Sequence, residues 1–461
     1  MNLLSVSNPA DDSLIERLPI DEPARVAQRV AEARRAQGPW ASRPLSERAQ
    51  IIAGFAQSVR AQLPALAQVL TRETGKPLAH SSNELNGFLG RIDFFLAHAE
   101  GAMAGEQVFD ADGMREQIER VPLGVIGNIS AWNYPWFVGG NVFVPALLMG
   151  NAVVYKPSEF APRTGLEMAR LLHAAGVPDD VFVVLIGLGA TGQALLEQPL
   201  DGVFFTGSLA TGQRIAQAMG PRMVKLQLEL GGKDPTYVCA DADPVAAAQS
   251  LADGAMYNAG QSCCSVERLY VHEAVYERFV EAVVETVRGF KMGDPMAQDT
   301  YLGPLTRAAQ IEVLQAQVAD ARTRGGRVLI GGARASGPFG GKGNWFEATV
   351  IDRADPGMLL MRDESFGPIV GIEKVSSDEQ AIARMNDTTY GLTAGIYTPD
   401  EQRARRIGEQ VRAGSLYWNC CDRVSPRLPW SGWGHSGVGL TLSREGISTF
   451  TRPKAWHLRK A

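Results

Sequence analysis

Short β-branched runs alternate with helix-like segments from residue 121 onward, and this alternation constrains the possible fold more than any other feature. Repetition of strand and helix predicts a mostly parallel, doubly wound sheet. A second alternating set begins near Pro235 and continues to about residue 417, so it predicts a second α/β domain. The length of 461 residues agrees with two domains, because a single core rarely grows so large. The strand-like runs of the first set span residues 125–129, 152–155, 181–186, 202–205 and 223–226.

The region from the Asp21-Glu22-Pro23 signal to about residue 100 is rich in Ala, Arg, Gln and Leu, a pattern that predicts helices. A helix start signal occurs at Asp21-Glu22-Pro23, and breaks are predicted at Gly38-Pro39 and at residues 74–77. Residues 105–122 alternate polar and apolar side chains around Asp112-Gly113, which predicts a β-hairpin. Such a hairpin is either an arm that pairs with another subunit or an ordinary surface hairpin.

The charge balance excludes several classes of partner. The formal net charge is −5 and the pI is near 5.8, and no basic tract with interleaved aromatics is present, so we expect no binding to nucleic acid. No apolar run is long enough to span a bilayer, and residues 1–12 lack the basic and apolar regions of a secretory signal. We therefore expect a cytoplasmic protein without membrane contact, whose partners are small molecules.

Cys263 is the most informative of the five cysteines. It lies in a small turn that contains glycine, where a thiol can act as a nucleophile. Glu229 precedes it by 34 residues and stands among apolar residues and glycines, as a general base should. Thiol and carboxylate together predict acyl chemistry through a thioester. The odd cysteine count and the absence of Cys-x-x-Cys spacing predict neither a disulfide framework nor a zinc site, and we expect no metal.

Several weaker motifs follow predicted strands, where ligands bind in doubly wound folds. Residues 187–192 match the dinucleotide fingerprint but lack its later acidic residue, and an ordinary glycine turn explains them equally well. Residues 206–208 could place a helix N-terminus under a phosphate, or could form a common serine N-cap. Lys156 and Glu159 could bind ribose hydroxyls or lie on the solvated surface. Asn133 could donate to an oxyanion or stabilise a turn.

Seven motifs occur together across nearly the whole chain, namely Trp132-Asn133, Lys156-Pro-Ser-Glu159, Phe205-Thr-Gly-Ser208, Glu229-Leu-Gly-Gly232, Gly260-Gln-Ser-Cys263, Glu364-Ser-Phe-Gly-Pro368 and Pro429-Trp-Ser-Gly-Trp-Gly-His-Ser-Gly437. In this order and at these spacings they resemble the NAD(P)-dependent aldehyde dehydrogenase superfamily. The resemblance implies two doubly wound α/β domains, one binding the cofactor and one catalytic, plus a β-arm for oligomerisation into a homodimer or homotetramer. On this basis residues 1–104 and 123–231 form the NAD-binding domain, 232–434 the catalytic domain, and 105–122 with 435–461 the arm and C-terminal tail.

The resemblance also assigns the catalytic roles. Cys263 matches the nucleophile that attacks the aldehyde carbon, and Cys264 is a bystander. The amide of Asn133 and the backbone N–H of Cys263 are expected to hold the oxyanion. Glu229 is expected to activate the water that hydrolyses the thioester, and it could also deprotonate the thiol.

The cofactor implied by the resemblance is NAD, with NADP possible. Lys156 and Glu159 match the pair that binds the adenosine ribose, and a carboxylate at Glu159 favours NAD because it repels a 2′-phosphate. Gly207 and Ser208 match the helix start under the pyrophosphate. The complete set of expected cofactor residues is Ile129, Trp132, Lys156, Ser158, Glu159, Gly189, Thr206, Gly207, Ser208, Leu230, Glu364 and Phe366.

The substrate is less well defined. The family's aromatic substrate tunnel corresponds to Tyr134, Phe137, Tyr257 and Trp430, which suits an apolar aldehyde, although each aromatic could equally be core. Arg423 or Arg427, just before Trp430, could instead bind a substrate carboxylate such as that of succinate semialdehyde. Many relatives have an acidic residue near the position of Thr441, where it forms part of a proton path from the base. Because this chain has threonine there, the resemblance does not define the route by which a proton leaves Glu229.

Two other functions fit the same fold. A CoA-acylating semialdehyde dehydrogenase would release the thioester to coenzyme A, but such relatives commonly lack the base that Glu229 supplies. A catalytically silent structural protein would not need Cys263, Glu229 and Asn133 together.

Overall fold

The computed structural model describes residues 2–459, and its N-terminal part combines a small hairpin with three long helices. β4 pairs antiparallel with β3 around Asp112-Gly113, so the predicted hairpin is present. The elements of this part, in chain order, are β1 (Leu3–Ser7), β2 (Leu14–Pro19), α1 (Pro23–Ala41), α2 (Leu45–Thr74), α3 (Leu78–Met103), β3 (Glu106–Ala111) and β4 (Met114–Pro122).

One expectation for the N-terminal part is wrong, and one element was not predicted. The β1–β2 hairpin precedes the predicted helical region, and its residues Leu4, Val6 and Leu18 are buried and pack against Ile186. The predicted break at Gly38-Pro39 is absent, since α1 continues to Ala41. The break at residues 74–77 is present between α2 and α3.

The first alternating set forms five parallel strands in the order β9-β8-β5-β6-β7, which is the predicted doubly wound pattern. Among the described residues, short 3-10 helices occur at Gly220–Arg222, Tyr257–Gly260 and Gly434–Ser436. The elements of the first set are β5 (Val125–Ile129), α4 (Pro135–Leu148), β6 (Ala152–Lys156), α5 (Pro162–Ala175), β7 (Phe182–Val184), α6 (Gly189–Leu196), β8 (Gly202–Thr206), α7 (Leu209–Met219) and β9 (Lys225–Glu229).

The second set forms a seven-stranded sheet in the order β12-β13-β14-β11-β10-β15-β16, in which β12 alone is antiparallel to its neighbour among the described strands. Its elements are β10 (Asp234–Val238), α8 (Pro244–Met256), β11 (Val266–His272), α9 (Tyr276–Arg288), α10 (Ala309–Thr323), β12 (Arg327–Ile330), β13 (Thr349–Asp352), α11 (Leu359–Arg362), β14 (Ile369–Val375), α12 (Asp378–Met385), β15 (Thr393–Tyr397), α13 (Glu401–Gly408) and β16 (Ser415–Trp418).

The C-terminal residues return to the first half of the molecule as β17 (Gly437–Val438), α14 (Ser443–Ser448) and β18 (Thr451–Arg459). β17 adds antiparallel to β9, and β18 pairs with β4 to complete a three-stranded sheet in the order β18-β4-β3. A large apolar cluster among α2, α3 and α4 also contains Cys264 and Trp430. This cluster therefore joins the two halves of the chain. Within residues 2–459 no helix has the length and apolarity needed to cross a membrane.

Candidate active site

A cavity of about 720 Å³ lies beside Cys263. Side chains from α3, from α4 and its preceding loop, from β9 and from residues 421–430 form its walls. The structure therefore brings together residues that are far apart in the sequence. The predicted residues that line this cavity are Asn133, Tyr134, Phe137, Glu229, Tyr257, Cys263, Arg423, Arg427 and Trp430.

Cys263 follows a turn whose backbone is unusual. Asn258 and Ala259 each have φ 53° and Gly260 has φ 66°, so three successive residues are left-handed. A Cβ on Gly260 would lie 2.1 Å from the carbonyl oxygen of Gly367, which only glycine avoids. The Asn258 side chain donates to the Gln261 carbonyl at 3.1 Å and thereby closes the turn. This packing fixes the position of the following thiol.

Two N–H donors lie next to the thiol. The Asn133 amide is buried and donates to the Gln261 carbonyl at 3.2 Å, which holds it against the Cys263 turn. The backbone N–H of Cys263 has no acceptor within residues 2–459. An amide and a free backbone N–H at this point can stabilise negative charge on the oxygen of a carbonyl group whose carbon is bonded to the Cys263 sulfur.

Glu229 ends β9 and faces the same cavity. Its Oε1 accepts from the Gln227 side-chain amide at 2.7 Å and from the Thr441 hydroxyl. Burial raises the pKa of Glu229 to about 7, although both hydrogen bonds and Arg91 oppose the rise. A carboxyl group that is half ionised near neutral pH is well suited to accept a proton from water.

The two vicinal thiols have different surroundings. Cys264 is buried and its thiol donates to Asp422 Oδ1 at 3.0 Å. Its hydrogen bond with Cys263, burial and the nearby Asp422 raise the pKa of Cys264 well above its ordinary value. Cys263 is only partly buried and faces the cavity. Cys264 therefore stays protonated, whereas Cys263 is the thiol that a ligand can reach.

Sequence reasoning did not identify the charged residues that α3 contributes. Glu84 forms a buried ion pair with Lys76, whose ammonium lies 3.7 Å from the Tyr134 ring centroid. Arg91 lies with its guanidinium carbon 3.6 Å from the Phe137 ring centroid. The spacing of Glu84 and Arg91 places them on one face of a helix, which was the available signal.

Tyr134 and Phe137 are thus each in contact with a cation, and their rings stack on each other with centroids 5.8 Å apart. Tyr257 stacks on His80 at 3.7 Å, and burial lowers the pKa of His80 to about 3. The Asn83 amide donates to the Tyr257 hydroxyl at 3.0 Å. The cavity therefore combines aromatic walls with charged and hydrogen-bonding groups.

A second group of predicted residues lies at the carboxyl ends of the parallel strands. Ile129 pairs with Lys156 across β5 and β6, so these ends share one edge. The buried Lys156 ammonium donates to the Pro157 carbonyl at 3.2 Å, and the Ser158 hydroxyl donates to Glu159 at 3.3 Å. A cation and a carboxylate at this edge provide donor and acceptor for ribose hydroxyls.

Two helices begin at the same edge with no acidic residue in their first turns. Gly189 is the first residue of α6, and Ser208 caps α7 by accepting from the Thr211 N–H at 3.4 Å. Thr206 ends β8, and the Gly207 N–H donates to the Glu229 carbonyl at 3.1 Å. Free N–H groups and positive helix ends fit the pyrophosphate of a dinucleotide.

Glu364 and Phe366 lie across from these helices. The Gly232 N–H donates to Glu364 Oε1 at 3.0 Å, and burial raises the pKa of Glu364 to about 8. A Cβ on Gly231 would lie 2.2 Å from Glu364 Oε1, so the approach requires glycine. The Phe366 ring meets Trp132 edge-on at 5.6 Å. The cleft therefore has the Glu364 carboxylate and the Phe366 and Trp132 rings near the end of β9.

A buried ion pair that the sequence analysis did not identify supports this loop. Glu267 pairs with Lys233 and accepts from the backbone N–H groups of Ser365 and Phe366, each at 2.9 Å. Leu230 is buried, and its N–H donates to the Ser436 carbonyl at 3.0 Å. The Lys that follows the Glu-Leu-Gly-Gly motif was the available signal.

Comparison with known proteins identifies the family. The family model described as the aldehyde dehydrogenase family matches residues 2–456. The chain belongs to the aldehyde dehydrogenase family. This result confirms the resemblance that the seven motifs indicated, and with it the prediction of an oxidoreductase of the NAD(P)-dependent aldehyde dehydrogenase type.

Similar proteins with different substrates in their names occur at equal identity. A 3,6-anhydro-alpha-L-galactose dehydrogenase of Streptomyces coelicolor is 35% identical, over 99% of this chain and 93% of its own length. A betaine aldehyde dehydrogenase of Cereibacter sphaeroides is also 35% identical, over 98% of this chain and 93% of its own. Because both relatives are 35% identical to this chain, sequence identity does not indicate which of the two aldehydes its substrate resembles.

Solved structures confirm the predicted fold class. The structure of a 3,6-anhydro-L-galactose dehydrogenase in complex with NAP has a TM-score of 0.96 at 32% identity, covering 99% of this chain and 96% of that one. PnpE in complex with nicotinamide adenine dinucleotide has a TM-score of 0.96 at 34% identity, covering 99% of this chain and 94% of that one.

Proposed function

We propose that this chain oxidises an aldehyde to the carboxylic acid with NAD(P), through a thiohemiacetal and then a thioester on Cys263. The observation that carries the proposal is the single cavity that Cys263, Asn133 and Glu229 share. A thiol, two oxyanion donors and a base of suitable pKa are the groups that acyl transfer to water requires.

In the first step the thiolate of Cys263 forms a bond to the aldehyde carbon, and the carbonyl electron pair moves to oxygen. The Asn133 amide and the Cys263 N–H hold this oxyanion. The bound nicotinamide supplies a hydride acceptor, which allows the carbon to reach the oxidation level of an acid. Collapse of the oxyanion leaves an acyl group on the Cys263 sulfur.

In the second step Glu229 takes a proton from water while the water oxygen attacks the thioester carbon. The carbon–sulfur bond then breaks, and the thiolate of Cys263 is regenerated. Gln227 and Thr441 hold the Glu229 carboxylate through hydrogen bonds to one oxygen. Because Glu229 faces the cavity and burial raises its pKa to about 7, its proton can return to solvent at neutral pH.

The residues of the cleft fit a nicotinamide dinucleotide. We assign Lys156, Ser158 and Glu159 to the adenosine ribose, and Gly189, Gly207 and Ser208 to the pyrophosphate. Glu364, Phe366 and Trp132 then surround the nicotinamide ribose and ring, with Ile129, Thr206 and Leu230 as the walls. The Glu159 carboxylate disfavours a 2′-phosphate, so we propose NAD as the preferred cofactor.

The division of the chain follows from the same assignment. Residues 1–104 and 123–231 would form the NAD-binding domain and 232–434 the catalytic domain, while 105–122 and 435–461 would form the arm and tail. β3 is an exposed edge strand, with Val108 49% and Phe109 43% exposed, which supports pairing with another copy. We propose a homodimer or homotetramer, and a monomeric molar mass in light scattering would contradict it.

The experiment that tests the proposed function measures NADH formation from NAD and an aldehyde without coenzyme A. Cys263→Ser should abolish NADH formation, because a hydroxyl is a far weaker nucleophile than a thiolate. Cys264→Ser is the matched control and should keep most of the activity, since that thiol is buried and protonated. Equal loss in both variants would refute the assignment of the nucleophile, and a strict requirement for coenzyme A would favour the acylating alternative.

A further inference from the structure

We infer that the cavity binds aldehydes that carry a carboxylate at the end away from the carbonyl, and that Arg91 is the residue that binds this carboxylate. The inference rests on the proposed aldehyde oxidation, and it specifies the class of substrate. Arg91 belongs to α3, and it lines the same cavity as Cys263 and Glu229.

Arg91 is a buried cation with no carboxylate in direct contact, and the acids Glu84 and Glu229 act on it only at longer range. The residue is 4% exposed, and its guanidinium donates to Asn141 Oδ1 at 2.9 Å. A guanidinium has five N–H donors, so most of them remain available. Within residues 2–459 no carboxylate oxygen lies within 4 Å of its nitrogens. Burial lowers the pKa of Arg91 to about 10, so the group is still charged at neutral pH.

A buried charge that lacks a partner is costly in free energy, and proteins normally pair such groups. The contacts of Arg91 fix its orientation without neutralising it, because Phe137 covers one face of the guanidinium and Asn141 binds one edge. The planar fork matches the two oxygens of a carboxylate. A ligand carboxylate therefore supplies the missing counter-ion.

The acids that line the cavity have other partners. Glu84 pairs with Lys76, Asp253 accepts from the Tyr301 hydroxyl, and Asp422 accepts from the Cys264 thiol. Burial raises the pKa of Asp422 to about 6 and that of Glu229 to about 7, so both lose part of their negative charge near neutral pH.

Two more arginines, Arg423 and Arg427, are exposed and line the cavity. Neither has a carboxylate partner within 4 Å in the part of the chain that the structure describes. Positive charge along a cleft attracts anions and repels cations. The same arrangement disfavours a quaternary ammonium aldehyde, so it distinguishes between the kinds of aldehyde that appear in the names of the relatives.

There is also room for a ligand beside Arg91. Gly87 and Gly90 lie on the same stretch of α3 and line the cavity. A Cβ built on Gly90 would meet no atom within 4 Å, so open space lies beside this part of the helix. A side chain at Gly90 would occupy the space that the substrate needs, whereas a Cβ on Gly87 would lie 2.7 Å from the Phe137 ring.

The test compares succinic semialdehyde with butanal, which has the same chain length but no carboxylate. We expect the wild-type protein to favour succinic semialdehyde in kcat/KM. Arg91→Met should lower the ratio of the two kcat/KM values by about 100-fold, because the ligand carboxylate loses its buried partner. Arg91→Lys should retain part of the preference for succinic semialdehyde, because it keeps the positive charge but loses the planar guanidinium that binds both carboxylate oxygens. Arg278→Gln, at an exposed position of α9 outside the cavity, is the matched surface control and should change the ratio less than about 3-fold.

A second measurement does not depend on turnover. Succinate and butanoate are the products of the two oxidations, and only succinate has a second carboxylate for Arg91. Calorimetry on the full chain should show tighter binding of succinate than of butanoate in the wild type only. A ratio that Arg91→Met leaves unchanged, while butanal still gives NADH, would overturn the inference and leave the proposed function intact. Absence of NADH from both aldehydes would refute the proposed function, and equal binding of succinate by wild type and Arg91→Met would refute the inference separately.

Discussion

The hydroxyl of Thr441 is predicted to set the pH at which the enzyme hydrolyses its thioester. Thr441 donates to Glu229 Oε1, and Gln227 donates to the same oxygen at 2.7 Å. These hydrogen bonds stabilise the ionised carboxylate against burial, which raises the pKa of Glu229 to about 7. Thr441→Val keeps the shape of the side chain and removes the donor.

The magnitude follows from the strength of one hydrogen bond to a charged group, about 1.5–3 kcal/mol. Losing that stabilisation of the anion raises the pKa of Glu229 from about 7 to about 8 or 9. At pH 7 the ionised fraction then falls from about one half to between about one tenth and one hundredth. Hydrolysis at neutral pH should therefore slow about 5- to 50-fold and recover as the pH rises through the new pKa.

The assay combines a rapid-mixing measurement of the first turnover with steady-state rates from about pH 6 to about pH 10. Thr441→Val should keep the initial burst of NADH at neutral pH, because the burst precedes hydrolysis. Its steady-state rate should reach half its maximum at higher pH than the wild type. Thr441→Ser keeps the hydroxyl and should restore the wild-type profile. An unshifted profile in Thr441→Val, with a normal burst, would refute the role of this hydrogen bond.

Three further predictions concern other parts of the site. Glu229→Gln should give a burst of NADH and then stall with the acyl group on the enzyme, and normal steady-state turnover would contradict its role as base. Glu159→Ala should narrow the difference between NAD and NADP in kcat/KM, because the repulsion of a 2′-phosphate disappears; an unchanged difference would show that this residue does not contact the ribose. Lys76→Met should lower the free energy of unfolding by about 3–5 kcal/mol because it leaves Glu84 buried and unpaired, which denaturant titration can measure.

The sequence predicted the main sheets well, because alternating strand and helix patterns depend on local side-chain periodicity. It predicted the β3–β4 hairpin for the same reason. It did not predict the β1–β2 hairpin, whose buried Leu4 and Val6 form too short an alternation to outweigh the helical composition nearby. Local patterns therefore identified the long, repeated elements and not the short terminal ones.

The motifs indicated the residues that we propose as nucleophile, base and cofactor ligands, but they gave no indication of the charges around them. Lys76 lies in the connection before α3 and its ion pair with Glu84 is buried, while Arg91 of α3 is held by Asn141 of α4. The seven-residue spacing of Glu84 and Arg91 placed them on one face of α3, but it did not show that this face would be buried. Contacts of this kind depend on tertiary packing. Because they determine which charges face the cavity, substrate preference was the property that the sequence predicted least well.

The segment from Glu229 to Gly232 links the two halves of the site. The Glu229 carbonyl accepts from Gly207 at the cofactor cleft at 3.1 Å, while its side chain faces the substrate cavity. Three residues later, the Gly232 N–H donates to Glu364 at 3.0 Å, on the opposite wall of the cleft. Because one short, buried stretch of backbone has contacts on both sides, we expect a cofactor that contacts Gly207 and Glu364 to order Glu229 as well. The position of Glu229 therefore depends on the contacts of the whole segment and not on the β9 strand alone.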